Sequence, residues 1–62
     1  MRIRLHLVRT AAPAGAIADH DWVVQLDRLA LADHGTPPLP PGPIDHDQLV
    51  TLVFAAGQVV TW

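Results

Sequence analysis

The chain has sixty-two residues, with no cysteine, lysine or glutamate, and its four arginines against six aspartates give a formal charge of −2. A chain this short is one domain at most (residues 1–62) and buries only about 60% of the surface its unfolded form exposes, so help from a partner is expected; composition excludes disulfides, cysteine-ligated zinc and thiol or persulfide chemistry. The mild charge argues against direct nucleic-acid binding, which needs a basic surplus; half the residues are apolar, too many for a disordered chain, and no apolar run approaches the ~18 residues of a membrane span.

The opening MRIRLHLVRT is basic, but His6 interrupts its apolar stretch and the core of a signal peptide is missing. The cytoplasm is therefore the expected location. Within it, residues 2–8 alternate: Ile3, Leu5 and Leu7 on one side, Arg2, Arg4 and His6 on the other, the pattern of a half-buried strand. The polar side reads as a solvated face, as an edge guarded by charge, or as a surface turned toward an anion.

Residues 10–18, TAAPAGAIA, are small and interrupted by Pro13 and Gly15, so a loop is expected. After DHD at 19–21, the run WVVQL at 22–26 is short, β-branched and apolar on both parities, as in a strand covered on both faces. DRLALADHG at 27–35 predicts a two-turn helix. Asp27 would be its N-cap, Leu29, Leu31 and Ala32 its helix formers, and Gly35 its left-handed stop, with His34 favouring the dipole. TPPLPPGP at 36–43 holds five prolines in eight positions and must run extended, as a linker or as a polyproline ligand for an aromatic groove.

In the closing stretch, Asp45 can cap a helix with Gln48 three positions on. Leu49, Leu52, Val53 and Ala56 keep the spacing of a buried helix face. Gly57 would end the helix and QVVTW would form a last strand. The rival is a hairpin, LVTLVF–AAG–QVVTW, which gains from β-branched residues but lacks the usual tight-turn pair. The expected architecture is α/β, a small mostly parallel sheet with short helices; the alternative is an all-β, hairpin-rich domain.

Chemistry-bearing groups are few. DHD occurs twice, at 19–21 and 45–47, and Asp33 adjoins His34; aspartate with histidine suits a divalent ion, but the spacing fits no zinc motif. The same residues serve equally as caps and loop formers. Serine is absent, the four threonines have no evident base beside them, and no glycine-rich phosphate loop exists. An enzyme is not expected, and neither is a cofactor. Tryptophan is enriched at interface hot spots. Val59, Val60 and Trp62 are therefore the candidate partner interface, unless Trp62 folds back onto its own core.

The tail also carries a resemblance. Ile44, the triplet 45–47, Leu49, Val50 and Leu52, followed by Gln58, Val59 and Trp62, resemble the C-terminus of the DsrH/TusB family of sulfur-relay proteins. WVVQLDRLALADHG resembles the strand-and-helix unit that precedes that tail, and LHLV at 5–8 the family's opening strand. The resemblance covers about two-thirds of the chain. It implies a small α/β subunit that assembles with DsrE-like and DsrF-like partners in a complex passing persulfide sulfur, in many bacteria toward tRNA 2-thiouridine. This chain is shorter between residues 10 and 22 and has no cysteine, so the resemblance implies a non-catalytic docking subunit whose partners carry the sulfur. The reading of another class is a stand-alone interaction module that uses the Pro-rich segment or an apolar sheet edge, self-association included.

Overall fold

The computed structural model describes residues 3–13 and 15–62. Five strands and one helix are present among them: β1 (Arg4–Val8), β2 (Trp22–Gln25), β3 (Ala30–Leu31), β4 (Gly42–Pro43), α1 (His46–Ala55) and β5 (Gln58–Thr61). The strands form a single sheet in the order β4-β3-β2-β1-β5.

The alternation of 2–8 becomes β1; Arg2, which belongs to the same expectation, lies outside the described residues. β1 is the inner strand between two parallel neighbours, with Leu5 opposite Trp22 on β2 and opposite Val59 on β5. The far half of the sheet is antiparallel: Val24 pairs with Leu31, and Leu31 in turn with Gly42. The expectation of a mostly parallel sheet is therefore corrected to a mixed one. The cause is local. Residues 27–35 do not coil; 26–29 form a four-residue hairpin loop, with Leu29 in the left-handed region at φ 47°, and the chain returns as β3. Helix propensity at Leu29, Leu31 and Ala32 yields to burial, because Leu31 on a strand reaches the core at 2% exposure. The plural "short helices" shrinks accordingly to α1 among the described residues.

The Pro-rich connection forms no helix; it bends at Pro38, Leu39 and Pro41 instead of running straight as a polyproline rod, and it ends in β4. There Pro43 pairs with Ala30 at the outer edge, where a residue without an N–H is tolerated. Leu39 packs against the core, so this segment spends its apolar side chain inside the molecule.

Helix followed by strand is the observed form of the tail, and the hairpin alternative is excluded. Asp45 accepts from the Gln48 backbone N–H at 2.7 Å while Gln48 Oε1 accepts from the Asp45 N–H at 2.9 Å, a complete capping box. The helix ends before Gly57: Ala56 is already extended (φ −75°, ψ 149°), its N–H bonded to the Leu52 carbonyl. The N–H groups of Gly57 and Gln58 then both reach Ile3 O, which starts the β5 ladder.

Side-chain alternation divides the sheet into two faces. Leu5, Trp22, Val24 and Leu31 share one face and form the main core with Ile44 and Leu52, so α1 crosses this face on its way from one sheet edge to the other. On α1 only Leu52 is fully buried; Leu49 and Ala56 pack partly, and Val53 is 36% exposed, which narrows the predicted helix face. The opposite face carries His6, Val8 and Val23, all buried. A solvated polar face on β1 is thus corrected: His6 is 1% exposed.

Candidate functional site

Two features stand out, one buried and one open. The buried feature begins at Asp21, the residue before β2. Parallel pairing of β1 with β2 sets Asp21 on the same face as His6. A turn holds the carboxylate in place, with the Asp21 N–H donating to Ala18 O (3.0 Å) and the Ala18 N–H donating back to Asp21 Oδ2 (3.0 Å). His6 Nε2 lies 2.8 Å from the same oxygen, and both side chains are 1% exposed. His34 Nδ1 donates to the Asp21 carbonyl at 2.7 Å, and His20 Nε2 lies 3.6 Å from Oδ1.

The other ring nitrogen of His6 is also engaged. Trp62, the residue after β5, continues the ladder through its N–H to Leu7 O (2.9 Å), stacks on the imidazole with ring centroids 6.0 Å apart, and donates its indole N–H to His6 Nδ1 at 2.9 Å. An indole nitrogen can only donate. Nδ1 must therefore be bare, and the ring proton sits on Nε2, facing Asp21. Burial alone would push the Asp21 carboxyl up. Hydrogen bonds from His6 and from the Ala18 and Arg4 backbone, with the attraction of any charge on His6, outweigh that and hold it below the ordinary 3.8.

This triplet has the composition of an acid–base dyad, but both ring nitrogens are occupied and no cavity adjoins it among the described residues. The two DHD segments do different work. The first supplies the turn and the buried carboxylate; the second caps α1 with Asp45 and places Asp47 in its first turn. No group of three or more metal-ligating side chains gathers among the described residues. No helix among them is long and apolar enough to cross a membrane.

The open feature is the β5 edge together with the outer side of the helix that precedes it in the chain. The fifteen residues 48–62 contain no charged side chain. Val50, Val53 and Phe54, spaced i, i+3, i+4, point outward from α1 at 40%, 36% and 84% exposure, and Val59 on β5 is 38% exposed. Of the residues singled out in the sequence, Val59 is open, while Val60 and Trp62 are half-buried on the opposite side of the strand. The chain thus brings Val60 and Trp62 together with His6 and leaves Val59 on the side of α1. Sequence reasoning missed Phe54 and the His6–Asp21 pair. A helix apolar on nearly all sides was the available signal for Phe54; nothing local announces a pair separated by 15 residues.

Comparison of the chain with protein-family models, with curated proteins and with solved structures returns no match.

Proposed function

We propose that this chain is a non-catalytic binding subunit that recruits another protein by strand addition at β5, with the outer face of α1 as the flanking contact. The asymmetry of the two sheet edges carries this reading. β4 is two residues long, contains Pro43 and follows a run of prolines, so its edge is blunted. β5 is four residues long and has no proline, no charge and no neighbour on its outer side among the described residues. Soluble proteins guard a free edge with charge, proline or a cover; among the described residues β5 has none of these, and the apolar side chains of Val50, Val53, Phe54 and Val59 lie on the same side of the sheet. An uncharged edge strand of another subunit is the matching partner, since main-chain hydrogen bonds supply affinity and side-chain pockets supply choice.

The resemblance of the tail to DsrH/TusB proteins makes a cysteine-bearing DsrE-like or DsrF-like subunit of a cytoplasmic sulfur relay the first partner to test. The helix-then-strand order of residues 45–62 is compatible with that resemblance. In such a complex this chain carries no sulfur itself, having no cysteine; it would position the partner that does. The Pro-rich segment is less suited to docking, because Leu39 and Pro43 are engaged within the fold.

The test is co-expression with a DsrE-like, cysteine-bearing protein, followed by size-exclusion chromatography with light scattering. Co-elution that is lost on Val59→Lys and on Phe54→Ser supports the reading. A folded chain that elutes alone opposes it, and a homodimer sensitive to the same substitutions assigns the edge to self-association instead.

A further inference from the structure

We propose that His6 is the release of a proton-operated latch that holds Trp62, and with it the end of β5, against the sheet. The argument is one of donors and acceptors. Neutral His6, protonated on Nε2, satisfies both neighbours at once: it donates to Asp21 Oδ2 at 2.8 Å and accepts from the Trp62 indole at 2.9 Å. A proton taken from solvent at Nδ1 turns that acceptor into a donor. Two N–H groups then face each other, and one of the rings has to leave.

The surroundings decide which ring moves. From the β2 side, His6 faces the Asp21 carboxylate, with His20 3.6 Å from its other oxygen. From the connection after β3, His34 binds the Asp21 carbonyl. On the sheet face of β1 the neighbouring charged residue is the exposed Arg4; Arg9, just beyond β1, reaches Trp62 O at 3.4 Å. β5 contributes no charge. The imidazolium gains at Asp21, which offsets the cost of charging a buried ring and keeps it in place, while among its hydrogen-bond neighbours the loss falls on the indole. Trp62 is half-buried and lies just past an edge strand, so it can swing out without disturbing Leu5, Val24 or Leu52. The Trp62 N–H bond to Leu7 O goes with it, and the end of β5 frays.

The latch rests on the docking reading only for its consequence, that acidification weakens a partner held at β5. The latch itself is tested on the isolated chain, so either idea can fail without the other. In ¹⁵N-labelled protein, the indole N–H signals of Trp22 and Trp62 are followed from about pH 8 to about pH 5, the span over which imidazoles change charge. The expected result is a reversible shift of the Trp62 signal and a loss of its solvent protection by ~tenfold relative to free indole, the equivalent of one hydrogen bond. The Trp22 signal, whose nitrogen is buried, stays where it is. A Trp62 signal that does not move while the His6 ring resonances titrate overturns the latch, as does one that moves only together with Trp22. His6→Asn presents an amide oxygen near the Nδ1 position and takes up no proton. In that variant Trp62 protection becomes independent of pH; if it keeps the wild-type response, the latch is wrong. Should the variant not fold, the wild-type titration decides alone.

Discussion

Trp62 and His6 are 56 residues apart in the chain and 2.9 Å apart at their ring nitrogens. The contact joins the end of the edge strand to the middle of β1, and through His6 it reaches the buried carboxylate of Asp21. The three side chains form one donor–acceptor sequence, indole to imidazole to carboxylate, and the two ends of that sequence are not equally costly to remove.

Substitution His6→Ala leaves Asp21 buried with its charge and without its side-chain partner. Such a loss costs about 3 kcal/mol. Trp62→Phe keeps an aromatic ring on the imidazole and deletes only the donated hydrogen bond, worth about 1 kcal/mol. Thermal unfolding followed by circular dichroism should therefore place His6→Ala well below Trp62→Phe, with the latter lowered by roughly 4–8 °C.

Asp21 also sets the acid limit. Its carboxyl is held below 3.8 in the folded chain. The stabilisation it provides is complete above that value and drains away as pH falls through the lower, folded-state value. Urea midpoints measured across the acid range should show wild type more stable than Asp21→Asn at neutral pH, with the gap closing in strong acid. A gap that stays constant with pH would mean the carboxylate is not linked to folding.

Two glycines with left-handed backbone separate conformational strain from collision. At Gly15 (φ +81°) an added methyl meets nothing within 4 Å among the described residues, so Gly15→Ala is expected to cost the backbone penalty of ~1–2 kcal/mol. At Gly35 (φ +70°) the same methyl would lie 2.7 Å from Asp21 O and 3.0 Å from His20 O. Gly35→Ala must strain the backbone and displace the turn that holds Asp21. It should be the more destabilising of the two in chemical denaturation, and it should disturb the His6 ring resonances as well.

On α1, Leu52 and Phe54 are opposites. Leu52 is fully buried, and Leu52→Ala should cost about 2–5 kcal/mol. Phe54 is 84% exposed, and Phe54→Ala should leave stability within about 0.5 kcal/mol. Paired denaturation curves check the contrast. A large loss at Phe54 would mean that its ring is covered in solution.

The capping box predicts an intermediate effect. Asp45→Ala removes the acceptor for the Gln48 N–H at 2.7 Å and should cost about 1 kcal/mol, read as a lower urea midpoint with unchanged slope.

The parts of the fold legible in the sequence are those specified by neighbours in the chain. Asp45 with Gln48 announces a helix start, and the short apolar run WVVQL at 22–26 announces a strand, observed over Trp22–Gln25. β3 escaped because its cause is distant. Asp27, Leu29 and Leu31 favour a helix locally, yet Leu31 is needed opposite Val24, and the turn that brings it there forces a leucine to φ 47°. No propensity scale foresees a bulky side chain in that region. His6 escaped for a related reason. Alternation correctly set it apart from Leu5 and Leu7, but its burial depends on Asp21 and Trp62, 15 and 56 positions away. The choice of Val59, Val60 and Trp62 grouped residues of two faces, because β5 turns Val59 toward α1 and Val60 with Trp62 toward His6.

The unequal rims of the sheet have a final consequence for how large an assembly can grow. An adhesive margin on both sides would let copies or partners line up without limit, the geometry of fibres. Here the margin at β4 is two residues long and carries Pro43, while the margin at β5 is four residues long and carries no proline. If the proposed strand addition at β5 holds, growth through these margins ends at a pair.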